Sequence, residues 1–96
     1  MHIISRRALR DFAVTHANAE APLDAWYRVA KVATWKSLVE LQATWPSADS
    51  VGKLTVFNIK GNTYRLIARI NYRSGTLFIR AVLTHAQYDK EAWKQL

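Results

Sequence analysis

The chain has 96 residues, half of them apolar, no cysteine and a formal net charge of +7. This length suits one domain over residues 1–96 with a modest core, and the composition excludes a disordered chain, disulfides and thiol chemistry. No apolar run reaches membrane-spanning length, and MHIISRRALRDF lacks the apolar stretch of a secretory signal, so a soluble, cytoplasmic protein with no membrane contact is expected.

In chain order, MHIIS reads as a short first strand, and Ser5 has the chemistry of a helix N-cap. Leu9, Phe12, Ala13 and Ala17 then recur at helical spacing. Pro22 suits the first turn of a second helix, with Leu23, Trp26, Tyr27, Ala30 and Ala33 as its apolar face. Leu38 and Leu41 indicate a short third helix ended by Pro46. Beyond it the composition changes. Residues 54–60, 63–73 and 76–84 are rich in β-branched and aromatic side chains, separated by Gly61-Asn62 and Ser74-Gly75 as two-residue hairpin loops. The tail DKEAWKQL reads as a short helix capped by Asp89. The predicted class is α+β: a short N-terminal strand, two to three helices, a three-stranded antiparallel meander centred on 63–73, and a short C-terminal helix.

The charge is distributed unevenly. Residues 1–50 carry six Lys/Arg against five acids, whereas residues 51–88 carry Lys53, Lys60, Arg65, Arg69, Arg73 and Arg80 and no acid at all. Ordinary solubilising charge mixes its signs. A segment without counter-charges points instead to an anionic partner, most often a phosphate backbone or an acidic protein.

Two-residue loops fix a register. Lys60 opposite Thr63 sets Asn58 against Arg65. Arg73 opposite Thr76 sets Arg69 against Arg80 and Arg65 against Thr84. One sheet face then holds Phe57, Ile59, Tyr64, Leu66, Ala68, Ile70, Leu77, Ile79, Ala81 and Leu83, and it takes the helices. The other holds Asn58, Lys60, Arg65, Arg69, Arg73, Phe78, Arg80 and Thr84, around an apolar row of Val56, Ile67 and Val82. A one-residue slip would bury the arginines, so the pattern enforces the register. Like charges directly opposite each other cost stability unless an anion lies between them, and a planar guanidinium suits phosphate oxygens. The plain alternative is arginines that snorkel over an exposed sheet.

VFNIKGNTYRLIARINY followed by LFIRAVLTHAQYDK resembles the HigB toxin family, RelE-like toxins of type II bacterial toxin–antitoxin systems. MHIISRRALRDFA and WKSLVELQATWPSADSV resemble that family's N-terminal portion, so the likeness covers nearly the whole chain. It implies a RelE-like two-layer fold and a metal-independent mRNA endoribonuclease, an mRNA interferase, acting on the translating 70S ribosome. It also implies a HigA-type helix-turn-helix antitoxin that neutralises the toxin and carries it to operator DNA.

Such a ribonuclease uses the 2′-OH as an internal nucleophile. It needs a base for that hydroxyl, cations for the charge of the transition state and an acid for the leaving 5′-oxygen. Arg65 corresponds to the arginine of the family's YRL motif and is the expected transition-state stabiliser. Lys60, at the adjoining turn, is placed to bind phosphate or act in acid–base steps. His85 has a suitable unperturbed pKa, with a hydrogen-bonded strand-end cap as its alternative. The resemblance puts Tyr88 against the RNA, to stack or hydrogen-bond; simple packing is its other reading. Asn58, Arg69, Arg73, Arg80, Thr84 and Lys90 complete the expected RNA-binding set, while Asp89 reads as a helix cap. His2 and His16 lie outside the basic segment and read as structural, each tryptophan reads as a packing residue, and neither metal nor cofactor is expected. The rival is a non-catalytic RNA- or ribosome-binding module. A DNA-binding factor fits less well, because the basic residues lie on strands.

Overall fold

The computed structural model describes residues 1–96. Strand β1 (His2–Ile4) leads into helix α1 (Arg7–Thr15), a 3₁₀ turn at Ala17–Ala19, helix α2 (Glu20–Val32) and helix α3 (Leu38–Thr44). Strands β2 (Asp49–Val51), β3 (Leu54–Ile59), β4 (Tyr64–Asn71) and β5 (Thr76–Thr84) follow, then helix α4 (His85–Asp89) and a 3₁₀ turn at Ala92–Gln95. The five strands form one sheet in the order β1-β5-β4-β3-β2, with β1 parallel to β5 and the other pairs antiparallel. No helix is long and apolar enough to cross a membrane.

Local chemistry accounts for the helices. Helix α2 starts two residues before Pro22, whose missing N–H costs nothing in a first turn, and buries Leu23, Trp26 and Ala30 on one stripe. The Ser37 hydroxyl caps α3 by accepting from the Glu40 N–H at 3.3 Å. Ser5 does not cap α1: its side chain makes no such bond, and only its carbonyl accepts, from the Ala8 N–H. The helices lie on the face formed by Phe57, Ile59, Leu66, Ala68 and Leu77, all buried with Leu9, Leu23, Trp26 and Leu41. Trp26 meets Phe57 edge-on, with centroids 5.2 Å apart. Tyr64 closes the same core: its ring meets His16 edge-on and its hydroxyl donates to Asn18 Oδ1. His16 itself stacks flat on Phe12.

The expected meander is present, and the first hairpin has the predicted register, Asn58 opposite Arg65. The second does not. Asn71, not Arg73, opposes Thr76, so the connection is four residues long. The Asn71 side chain sets this turn by accepting from the Ser74 N–H at 3.1 Å, and the Gly75 N–H donates to the Asn71 carbonyl with Gly75 at φ +71. A bulge follows: Ala68 faces Ile79 while Ile67 faces Ala81, leaving Arg80 as the extra residue. Arg69 therefore opposes Phe78, not Arg80, and Arg65 opposes Leu83, not Thr84. The predicted like-charge pair does not exist. The bulge also reverses the alternation after Arg80. Val82 packs toward the helices, whereas Ala81 and Leu83 turn to the outer face, opposite to the expected order.

The expected N-terminal strand is present, and one further strand was not expected. The N-terminal strand joins β5 at one edge, and the unpredicted β2 adds a three-residue edge to β3. The tail also differs. Asp89 ends α4 and caps nothing; Thr84 caps it, and the polypeptide turns at Glu91, φ +59, into the 3₁₀ segment. This turn folds Trp93 back onto the outer face, where it is buried with Leu54, Val56 and Ile67, with Val51, Ala81, Leu83 and Tyr88 packed around them. The outer face thus has a small core of its own at one end.

Candidate nucleic-acid interface

Arg65 stands at the covered end of the outer face and is only 8 % exposed. A guanidinium rarely sits so deep without a carboxylate, yet Arg65 has none. Its Nη1 donates to the carbonyls of Asn62 at 2.9 Å and Tyr64 at 3.2 Å, and Nη2 points to Asn62 Oδ1 at 3.5 Å. The Tyr88 ring covers it, with Cζ 5.0 Å from the ring centroid. Neutral acceptors and a π-face fix the fork in place without cancelling its charge. The result is a positioned, permanently charged group whose charge no neighbouring residue neutralises.

The support is layered. Tyr88 stacks on Trp93 with centroids 5.0 Å apart, and the Trp93 indole donates to the Tyr88 carbonyl at 2.8 Å. Asn58, beside Arg65 as expected, donates through Nδ2 to Asn62 Oδ1 at 3.2 Å. The Asn58 carbonyl accepts from the Trp45 indole. Asn62 is therefore the acceptor that joins Asn58 to Arg65. Sequence reasoning missed its part because Gly-Asn was read only as a turn. Trp93 packs as its composition suggests, and it does so beneath Tyr88, which the sequence does not show.

The other expected residues divide into those near Arg65 and those away from it. Lys60 is exposed at the turn after Asn58 and holds a left-handed backbone, φ +52, a conformation uncommon for a residue with a side chain and recurrent at functional turns. His85 begins α4, two residues past Leu83, which is the cross-strand partner of Arg65. Its Nδ1 lies 3.0 Å from Asp89 Oδ2. A carboxylate there orients the ring and leaves Nε2 without a partner. His85 is not a backbone cap for the strand. Thr84 faces Tyr64, and its hydroxyl accepts from the Gln87 N–H while Gln87 Oε1 accepts from the Thr84 N–H. In that reciprocal cap the Thr84 hydroxyl accepts to hold α4, and Thr84 stands opposite Tyr64, one residue from Arg65 on β4, not directly opposite Arg65 as expected. Lys90 is exposed just after α4. Arg69, Arg73 and Arg80 are exposed toward the other end of β4 and β5.

The chain's ion pairs are Arg6 and Arg28 with Asp24, Arg7 with Asp11, His85 with Asp89 and Lys94 with Glu91. None of the six Lys/Arg between 51 and 88 takes part in one. Burial holds the Tyr72 phenol above its ordinary pKa, so it stays neutral and offers no base.

The family described as HigB toxin, the RelE-like toxic component of a toxin–antitoxin system, matches residues 19–91. The chain is 34 % identical over 92 residues to the mRNA interferase toxin HigB of Escherichia coli (strain K12), covering 93 % of this chain and 88 % of that protein. The mRNA interferase HigB of Shigella flexneri matches to the same extent. That of Escherichia coli O6:H1 is 32 % identical over 93 residues, covering 94 % of this chain and 90 % of the relative.

Proposed function

The chain belongs to the HigB toxin family, and on that premise we propose that it is the toxin of a type II toxin–antitoxin pair, a metal-independent mRNA interferase that cuts messages on the translating 70S ribosome in the cytoplasm. Its antitoxin is a HigA-type helix-turn-helix protein, through which alone it reaches operator DNA. The observation that carries the reading is Arg65: a guanidinium held by neutral groups, without a carboxylate, on a face whose other cations are also unpaired.

The roles follow from charge and proton inventory. The 2′-OH attacks the adjacent phosphorus, a cyclic phosphate forms, and the bond to the 5′-oxygen breaks. Arg65 takes the charge that accumulates on the non-bridging oxygens, and its fixed fork costs no reorganisation at that moment. Lys60 from the adjoining turn and Asn58 from the end of β3 hold the same phosphate. His85, its orientation set by Asp89, takes the 2′-OH proton at Nε2, and the Lys60 ammonium gives a proton to the leaving 5′-oxygen. Tyr88 orients the nucleotide beside Arg65. Arg69, Arg73, Arg80 and Lys90 draw in and hold the RNA backbone, and binding weakens steeply as salt releases the counterions.

One observation favours a second reading. The 8 % exposure of Arg65 under Tyr88 also suits a guanidinium that merely shapes a non-catalytic RNA- or ribosome-binding surface. Primer extension on a defined message separates the two, with the purified protein added to programmed ribosomes and to free RNA. The proposed activity gives new 5′ ends only where ribosomes are present. Tight, salt-sensitive binding with no new ends assigns the face to docking and sinks the enzymatic reading.

A further inference from the structure

Beyond the cover of Tyr88 and Trp93, the outer face carries an apolar surface that the site above does not use. Phe78 is 36 % exposed and Ile4 40 % exposed, and the two stand side by side as register partners between β5 and β1. On the other flank of Phe78 is Arg69, its direct partner across β4. Arg80 occupies the bulge two residues on, and Arg73 lies in the turn that joins the two strands. None of these three arginines is ion-paired, and no acid occurs between residues 51 and 88.

Size and charge together identify the occupant. A stable protein interface covers about 800 Å² on each partner, with an apolar centre built from several side chains. Here the apolar part is two side chains, the scale of one nucleobase, and its surroundings are cationic. Single-stranded nucleic acid binds such arrangements, with a base stacked on an exposed aromatic ring and phosphates taken by the flanking guanidinium groups. The position is also suitable. Arg69 lies four residues along β4 from Arg65, about 13 Å at the rise of a strand, which a short run of extended nucleotides spans.

We propose that Phe78, backed by Ile4 and flanked by Arg69, is a stacking subsite for an unpaired base of the message whose backbone is held at Arg65. The inference rests on the reading of the outer face as the RNA surface. It adds a contact that holds the strand away from the scissile phosphate. Phe78 thereby contributes to message affinity and not to the chemical step.

The test measures binding to ribosomes programmed with a 2′-O-methyl message, which cannot undergo internal attack, and to the same ribosomes without message. Phe78→Ala is expected to weaken binding to the programmed complex about 10-fold, within the usual worth of one base–aromatic stack. Phe78→Leu falls nearly as far, because it keeps apolar area but has no π-face, whereas Phe78→Trp holds or gains affinity. Binding to message-free ribosomes stays unchanged in all three, as does the melting temperature. Replacing successive message nucleotides by abasic ones should find one position whose loss weakens wild type but not Phe78→Ala. Leu equal to Phe overturns the proposal, since it indicates plain apolar contact. An Ala variant that keeps message affinity but loses antitoxin affinity assigns the patch to the antitoxin and also overturns it. A wild-type protein that ignores the message overturns this proposal together with the reading it rests on. Normal binding and cutting of unmodified message by wild type and all three variants refutes the subsite alone.

Discussion

The two faces of the sheet are made by the same strands and closed by different means. On the helix side Phe57, Leu66, Ala68 and Leu77 are fully buried beneath α1, α2 and α3, with Trp26 set edge-on against Phe57. On the outer side Leu54, Val56 and Ile67 form a small buried cluster with Trp93, which anchors the short C-terminal tail that covers them. The rest of that face is left to arginines and Phe78. Apolar burial at roughly 25 cal/mol per Å² stabilises the fold mainly through the helix side. The outer side is then free to keep its cations without acidic partners, as the proposed RNA surface requires.

The comparison can be strained in three ways. The largest effect is expected from Phe57→Ala, a cavity at the centre of the helix side, which should cost about 3–5 kcal/mol in chemical denaturation. A loss under 1 kcal/mol would mean that the helix side is not where stability resides. His85→Ala should instead leave the denaturation midpoint in place and slow message cleavage about 100-fold, the usual worth of a positioned proton-transfer group. A cleavage rate unchanged by this variant would remove His85 from the site. The smallest effect is that of Arg69→Ala. It should weaken RNA binding modestly and make the plot of log affinity against log salt shallower by about 0.7, one phosphate contact fewer on a single strand. An unaltered slope would place Arg69 off the RNA path.

Much of this architecture was legible in the sequence because periodicity and turn chemistry are local. The helical stripe of Leu23, Trp26 and Ala30, the three long strands and the Asn58–Arg65 register all follow from such patterns. The second hairpin did not. Ser74-Gly75 looks like a two-residue loop, but the Asn71 side chain builds a longer turn, and the bulge at Arg80 then exchanges the faces of Ala81, Val82 and Leu83. A bulge has no reliable signature when every residue around it suits a strand. The tail was misread for a related reason. Asp89 and Thr84 are both good caps in isolation, and only Gln87, three residues after Thr84, completes the reciprocal pair. For the candidate site, unpaired charge singled out the outer face, and the resemblance singled out Arg65 and Tyr88. Neither signal shows the contact between their side chains, which depends on how the tail folds back, or the role of Asn62, which depends on side-chain geometry within the β3–β4 turn.

The most direct test of the account is a single-turnover cleavage measurement on programmed ribosomes with Arg65→Lys, run beside its thermal melt. Lysine keeps the charge and loses the planar fork. If Arg65 stabilises the transition state, the rate falls about 10²–10³-fold, the cost of removing a preorganised donor, while the protein stays folded and ribosome-bound. A folded Arg65→Lys protein that cuts the message at the wild-type rate would contradict the account, because the fixed geometry of this guanidinium would then have no part in catalysis.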